Sequence, residues 1–328
     1  MFLKVAVIMG GCSSEHKVSL ASGKNIIENL DSRRYNIIPI RITRDNKWLR
    51  FSEVLPIEKI LRQTDLAFNA LHGKYGEDGR IQGLLDFFKI PYTGSGVLAS
   101  ALAMDKIVSR QIFKSHKILT PRTLVLKKDE ISDFNKGVKK ITSTFSKPPW
   151  VIKPAKQGSS VGISIIYERV NLPEALKEAF RYDKEVLAEE YLEGREFTSG
   201  ILENFKGRRY FALPVTEIIP QKKYQFFDYE AKYKNGATDE ITPANIDKKL
   251  SQKIQEIAIK AHQILGCSGY SRADLIVKEY QNRISIFLLE VNTLPGLTKN
   301  SLFPKAAKAA GLNFSELLDK IIENAIKK

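Results

Sequence analysis

The sequence predicts an α/β protein built on a parallel sheet, and three observations carry that expectation. Residues 4–9 form a short β-branched run that stops at Gly10-Gly11, and a helical pattern follows over residues 19–30. Strand and helix patterns keep alternating beyond it, as they do when helices cross over between parallel strands. The early strands end in glycine turns, Gly10-Gly11 and His72-Gly73, at the strand ends where open α/β sheets collect their ligands.

The elements follow in order. Residues 35–42 read as a second strand, 65–71 (DLAFNAL) as a buried strand and 79–88 as an amphipathic helix. Pro91-Tyr92-Thr93-Gly94 punctuates the chain and marks a domain boundary. Residues 99–115 are helical, 123–126 and 150–153 are strands, and 157–162 is a small-residue loop with a return strand over 162–167. A helix over 172–180 and a strand over 186–191 complete this part. From Glu196 the strands lengthen, at 198–203 and 209–219, before a polar, aromatic segment at 221–245. A helix at 246–265, strands at 272–277 and 284–291 and a helix at 313–326 end the pattern.

With 328 residues, 43% hydrophobic and 27% charged, the chain has enough apolar material for two or three domains with real cores. No apolar run approaches the ~18–20 residues of a membrane span. Met1-Phe2-Leu3-Lys4 runs straight into the first strand without the features of a secretory leader. Two cysteines, Cys12 and Cys267, make neither a disulfide framework nor a four-thiolate zinc site, so a reducing, cytoplasmic compartment is expected. The 52 Lys+Arg against 37 Asp+Glu give +15, of which twelve units fall in residues 1–50 and 101–150. That excess fits either a nucleic-acid partner or solvated helix faces.

Four motifs bear on chemistry, three of them as candidates for a site. Gly94-Ser95-Gly96-Val97-Leu98-Ala99 spells a dinucleotide fingerprint, but it follows a turn and lacks the downstream acid, so it reads as an interdomain turn. Lys153, followed by Gln157-Gly158-Ser159-Ser160, offers backbone amides, hydroxyls and a point charge suited to polyphosphate; a plain surface hairpin is the alternative. Arg272-Ala273-Asp274 and Glu290-Val291-Asn292 each put alternate polar residues on one strand face, as hard oxygen ligands for Mg²⁺ or as a structural ion pair. Glu15 and His72 follow strand ends, where Glu15 serves a ligand or caps a helix and His72 serves a site or is a buried structural histidine. Cys12 has no adjacent base and reads as a small filler.

Taken in order, GGCSSEHKVSLASG, HGKYGEDGRIQGLLDFFKIPYTGSGVLASALAMDK, KPAKQGSSVGIS, FFDYEAKY, SRADL and LEVNTLPGLTKNSLFP resemble the D-alanine–D-alanine ligases, ATP-grasp enzymes of peptidoglycan precursor synthesis. The resemblance runs from Val5 to about Gly311. It implies a three-domain ATP-grasp fold: an N-terminal open parallel α/β domain over 1–94, a central subdomain over 95–189, and a C-terminal subdomain over 190–328 that carries a mobile loop at 221–245 and the metal site.

The resemblance also implies roles. Lys106, Lys153, Ser159 and Ser160 contact ATP phosphates; Glu189 and the backbone of Glu190, Tyr191 and Leu192 bind adenine, Glu196 the ribose, and Phe226 packs on the base. Asp274, Glu290 and Asn292 hold two Mg²⁺ (or Mn²⁺) ions. Glu15 takes the first D-alanine's ammonium and His72 lies near its carboxylate. Arg272 and the Gly296 amide form the oxyanion site, and Ser301 with Leu302 holds the second carboxylate. Lys232 and Tyr233 belong to the mobile loop, and Tyr233, Ser159 and Glu15 form the hydrogen-bonded set that closes the site.

The partners implied are D-alanine, ATP and a second copy in a homodimer, with no nucleic acid and no membrane. Residues 221–245 contain no histidine, unlike ligases that make D-alanyl-D-lactate, and this favours an amine acceptor. A D-serine or D-lactate acceptor, or another ATP-grasp carboxylate–amine ligase, are the competing expectations.

Overall fold

Three sheets organise the chain, whose computed structural model describes residues 2–131, 133–158, 161–220, 238–281 and 283–327. The first contains β1 (Leu3–Gly10), β2 (Tyr35–Ile42), β3 (Trp48–Arg50), β4 (Glu53–Val54) and β5 (Leu66–Asn69), in the order β4-β3-β2-β1-β5. Its centre, β2-β1-β5, is parallel as expected, and the short β3 and β4 extend one side antiparallel. Helices α1 (His16–Asn29), α2 (Ile57–Leu61) and α3 (Arg80–Phe87) belong to this part. One face of the sheet buries Ile8, Ile40, Trp48, Leu61 and Leu85.

The opposite face is covered from the far end of the chain. Val5, Val7, Phe68 and Ile26 share a core with Leu317, Leu318, Ile321 and Ile322. Those last residues belong to α10 (Phe314–Ile326), which starts at a reciprocal cap between Asn313 and Glu316. Tyr35 adds a hydrogen bond from its hydroxyl to Asp319 (2.8 Å), and Arg34 pairs with the same carboxylate.

The sequence pattern over 99–115 reads as one helix, but the structure breaks it. Helix α4 (Val97–Met104) ends and α5 (Lys106–Ser115) begins at Asp105, whose carboxylate accepts the amides of Ile107 and Val108. An aspartate offered to free amides caps a new helix, and the periodicity on both sides hides the break. The second sheet has β6 (Thr123–Lys127), β7 (Trp150–Pro154), β8 (Ser164–Ile166) and β9 (Glu185–Glu190) in the antiparallel order β6-β9-β7-β8. Helices α6 (Phe134–Thr144) and α7 (Leu172–Tyr182) bury Val138, Ile141, Leu176 and Phe180 against it.

The third sheet comprises β10 (Arg195–Phe205), β11 (Arg208–Ala212), β12 (Thr216–Pro220), β13 (Thr238–Ile241), β14 (Tyr270–Tyr280) and β15 (Arg283–Asn292). Its order is β13-β12-β10-β14-β15, with β11 paired to β10. The strand expected over 209–219 is thus two strands, parted at 213–215, where Leu213 and Val215 turn into the core. Helix α8 (Lys248–Ile264) sets Leu250, Ile254, Ala258 and Ala261 at helical spacing against this sheet, and α4 and α5 contribute Ala99, Ala103 and Phe113 to the same core. A helix the pattern reading omits, α9 (Leu302–Ala309), precedes α10. Among the described residues no helix is long and apolar enough to cross a membrane.

Two close approaches place the first strand end. Gly10 has φ +92°, and a Cβ there would collide with the Ile42 carbonyl. Ser19 Oγ accepts the Gly10 amide (2.7 Å) and donates to the Ala70 carbonyl (2.8 Å), fastening the first turns of α1 to the ends of β1 and β5. One turn later Gly23 rests on Met9, where an added Cβ would lie 2.6 Å from the Met9 Cβ. Alanine gains about 1 kcal/mol of helix propensity over glycine, but overpacking typically costs about 1–3 kcal/mol. Gly23→Ala is therefore expected to lower stability by about 1 kcal/mol on balance in urea unfolding; a variant more stable than its parent would contradict this packing.

Candidate functional site

A cleft forms where the three sheets meet, and the candidate residues reach it from each. On the second sheet, Lys153 leaves β7 buried, and its Nζ lies 3.0 Å from Glu189 Oε2 on β9. Burial, followed by the Arg110 charge, pushes the Lys153 ammonium down to about 8, with Glu189 opposing. Burial acts to raise the Glu189 carboxyl, but Arg110 and Lys153 outweigh it and hold the group below the usual carboxylate range. Lys106, the first residue of α5, donates from Nζ to the Gln157 carbonyl (2.7 Å) and pairs with Glu290 Oε2 at 3.2 Å. Lys156 turns away and pairs with Asp105 and Glu185.

Further along β9, the Glu190 and Tyr191 amides donate to the carbonyls of Arg122 and Pro149. Contacts from those two residues to a base therefore fall to carbonyls and side chains. Leu192 is buried beside them, and Glu196 is the second residue of β10, paired in register with Ile276 and Ile218.

On the third sheet, β14 and β15 pair Arg272 with Asn292 and Asp274 with Glu290. Directly opposed residues of an antiparallel pair share a face, so all four face the same way. Arg272 forks onto Asp274 through two bonds of 2.7 Å, and Asn292 Nδ2 donates to Asp274 Oδ2 at 3.0 Å. The ladder shifts register between Asp274 and Leu275, leaving Leu289 as an extra residue on β15. Without that bulge Glu290 and Asn292 could not face the cleft while Ile286, Leu288 and Val291 face the core. Among the described residues no three His, Cys, Asp or Glu side chains gather as a metal cluster; this set has two carboxylates and an amide.

On the first sheet, Glu15 is buried just before α1, and its amide donates to Ser13 Oγ (3.2 Å), which donates to the His72 carbonyl (2.7 Å). Gly158 of the Gly-Ser-Ser loop lies against the Glu15 carboxylate: an added Cβ would sit 2.8 Å from Oε2. His72 is buried, with Nε2 2.9 Å from Ser22 Oγ. Burial first, offset by a hydrogen bond to the Leu294 backbone and reinforced by Arg272, pushes its imidazole down to about 4, so it is neutral at pH 7. The turn after β15 docks on α1: Asn25 Nδ2 donates to the Leu297 carbonyl (2.8 Å), and the Leu297 amide to Ser22 Oγ (3.4 Å). Gly296 and Ser301 close this turn, since a Cβ on Gly296 would lie 2.8 Å from Ser301 Oγ. Leu302 is buried at the start of α9.

The cleft thus brings together Glu15, His72, Arg272 and Gly296 on one side and Lys106, Lys153, Glu189 and Glu290 on the other. The expected roles of Ser159, Ser160, Phe226, Lys232 and Tyr233 lie outside the described residues. Both cysteines are free, Cys12 partly exposed and Cys267 buried.

Family models agree along the chain. The D-Ala D-Ala ligase C-terminus model matches residues 112–323, and the N-terminus model matches 4–60 and 50–95. The D-alanine–D-alanine ligase of Carboxydothermus hydrogenoformans is 44% identical over 320 residues, 98% of this chain and 97% of its own length. The chain belongs to the D-alanine–D-alanine ligase family. The crystal structure of a Bacillus anthracis D-alanine–D-alanine ligase complexed with ATP superimposes with a TM-score of 0.80 at 35% identity, covering 99% of this chain and 98% of that one. A VanG D-Ala:D-Ser ligase from Enterococcus faecalis gives 0.83 at 33% identity, covering 99% and 100%. The three sheets described above are the ATP-grasp fold of this ligase family.

Within that family frame, the structure adds residues the sequence reading does not single out. Ser19, Ser22 and Asn25 line the buried face of α1 at a spacing of three, and polar side chains on a buried helical face are a legible sign of a site. The Glu77 carboxylate accepts the Gly73 amide at 2.7 Å, and the Glu77 amide donates back to the Gly73 carbonyl (2.9 Å). Burial first, then the Glu15 charge, pushes its carboxyl up to about 8, while the Gly73 and Leu294 amides pull the other way.

The folded protein therefore binds this proton more tightly than the unfolded chain, where the group titrates near 4.5. Stability from this group is full below that value and is lost as pH rises toward about 8. Glu77→Gln, which stays neutral, is expected to gain stability on its parent between pH 5 and pH 8 in denaturant titrations at both pH values. A difference that does not change with pH would contradict the raised carboxyl.

Proposed function

We propose that this protein joins two D-alanines into D-alanyl-D-alanine, driven by ATP, for peptidoglycan precursor synthesis. The observation that carries this reading is the seat of Gly158 against Glu15, which puts a phosphate-type loop and a buried ammonium acceptor in one cleft. Adjacent lysines and carboxylates supply the rest of a phosphoryl-transfer site.

In this reading Glu15 holds the first D-alanine by its ammonium, and neutral His72 lies beside its carboxylate. That carboxylate attacks the γ-phosphorus, the bond to the bridging oxygen breaks, and ADP leaves behind an acyl phosphate. Lys106 and Lys153 hold the phosphate oxygens as charge redistributes. Glu190, Tyr191 and Leu192 meet the adenine and Glu196 the ribose; Glu189, expected at the adenine, instead orients Lys153, because its buried carboxylate is taken up by Arg110 and Lys153. Ser301 and Leu302 seat the second D-alanine, whose deprotonated amine attacks the activated carbonyl. Arg272, held by its fork on Asp274, and the Gly296 amide stabilise the oxyanion before phosphate departs. Ser159, Ser160, Phe226, Lys232 and Tyr233 are assigned by motif to closing the loop, the base and the acceptor side.

Asp274, Glu290 and Asn292 fit divalent cations, because they offer hard oxygens whose charge is at present met by Arg272 and Lys106. They would hold Mg²⁺ or Mn²⁺, which when bound neutralises phosphate charge. The same reading divides the chain at residues 94 and 189 and places the protein in the cytoplasm. It also pairs two copies: Phe87 (80% exposed) and Leu98 (70% exposed) stand on the neighbouring helices α3 and α4 as an apolar face for a homodimer.

Two experiments test this. Phosphate release from ATP should rise on adding D-alanine and fall at least 100-fold in Glu15→Gln, roughly the loss of a charge-assisted contact of about 3 kcal/mol. No stimulation by D-alanine would refute the ligase reading, and D-serine or D-lactate turnover above that of D-alanine would reassign the acceptor. Light scattering should report a dimer that becomes monomeric in Phe87→Glu/Leu98→Glu; a parent that is monomeric would refute the paired face.

A further inference from the structure

Three buried cations stand together on the nucleotide side of the cleft: Lys106, Lys153 and Arg110. The first two have a place in the proposed phosphate site. Arg110 does not, because its guanidinium is enclosed by protein. It forks onto both oxygens of Glu189, donates to Thr123 Oγ1 at 2.7 Å and points a further N–H at the Leu289 carbonyl at 3.5 Å.

We propose that Arg110 is a positioning residue for ATP: by gripping Glu189 it fixes the carboxylate that aims Lys153 at the nucleotide phosphates. The planar fork sets the plane of Glu189, and from that plane Oε2 holds the Lys153 ammonium at 3.0 Å. Lysine in place of arginine would supply charge but no plane, and could not satisfy Glu189, Thr123 and Leu289 together.

The location makes the grip a link between sheets. Arg110 lies one helical turn after Lys106 on α5, so the two share a face. Lys106 is joined to Glu290 on β15, and Arg110 reaches the carbonyl of the bulged residue just before it. Helix α5 therefore fixes the spacing between the two phosphate lysines, one carried on its own first turn and the other held through Glu189. A buried ion pair contributes little net stability compared with an apolar pair of the same shape, so retaining this one is better explained by orientation than by stability. Arg110 also repels Lys153, and its charge is the second cause, after burial, of the depressed ammonium.

The inference rests on the nucleotide-site reading, and the experiment separates the two. Arg110→Met, Arg110→Lys, Lys153→Met and the Arg110→Met/Lys153→Met double variant are compared with the parent by steady-state kinetics and by the shift in melting temperature on adding ADP. Arg110→Met should raise the KM for ATP about tenfold or more while leaving the KM for D-alanine within about twofold. Arg110→Lys, which keeps the charge that Glu189 needs, should melt above Arg110→Met and still show a raised KM for ATP, which keeps the test open if the methionine variant folds poorly. The double variant should match Lys153→Met alone, because Arg110 acts through Lys153.

Loss of the neighbouring positive charge should also move the alkaline limb of kcat/KM for ATP upward by about one pH unit, a change that a merely structural role would not produce. Additive effects in the double variant, or arginine variants that alter melting but neither the KM for ATP nor the alkaline limb, would overturn the proposal alone. A Lys153→Met variant with unchanged ATP KM and ADP shift would overturn the nucleotide-site reading, and the proposal with it.

Discussion

The antiparallel pairing of β14 with β15 sets the geometry on which the rest of the cleft depends. Its register places Arg272 opposite Asn292 and Asp274 opposite Glu290. Its single bulge lets Val291 and Leu288 both enter the core without turning Glu290 away from the cleft. The ladder is anchored on one side by β10, paired with β14 over eight residues from Arg195 to Leu202. On the other side, the turn that leaves β15 is read by Ser22 and Asn25 of α1, so the amino-acid side of the cleft inherits its position from the same strands.

Charge in the cleft is arranged in pairs. Lys106 meets Glu290, Lys153 and Arg110 meet Glu189, and Arg272 meets Asp274. In a partly dehydrated cleft unmatched charges would be costly, so each of these cations rests on a carboxylate. The net +15 of the chain plays no evident part in this, since only Lys106 and Arg110 of these cations fall in the two stretches that carry most of the excess positive charge, 1–50 and 101–150.

Much of this was legible in the sequence, for identifiable reasons. The parallel centre of the first sheet followed from a strand, a glycine turn and a helix in succession, and the strands bearing Lys153, Asp274 and Glu290 stood out because polar residues interrupt apolar runs. The break at Asp105 was hidden because helical periodicity runs through it on both sides. The bulge at Leu289 was hidden because the run from Ile286 to Val291 is almost wholly apolar and carries no alternation from which a register could be read. Glu77 and Arg110 escaped for a different reason. Their significance lies in contacts to residues far away in sequence, Glu15 and Glu189, and no local spacing encodes those.

The packing of α10 on the first sheet has a consequence for how the molecule is made. Val5, Val7 and Phe68 are synthesised roughly 250 residues or more before the side chains that cover them, Leu317, Leu318 and Ile321. During translation one face of a finished sheet therefore stays wet and apolar, with Tyr35 still awaiting Asp319. The core of the N-terminal sheet is therefore completed only once α10 has been made.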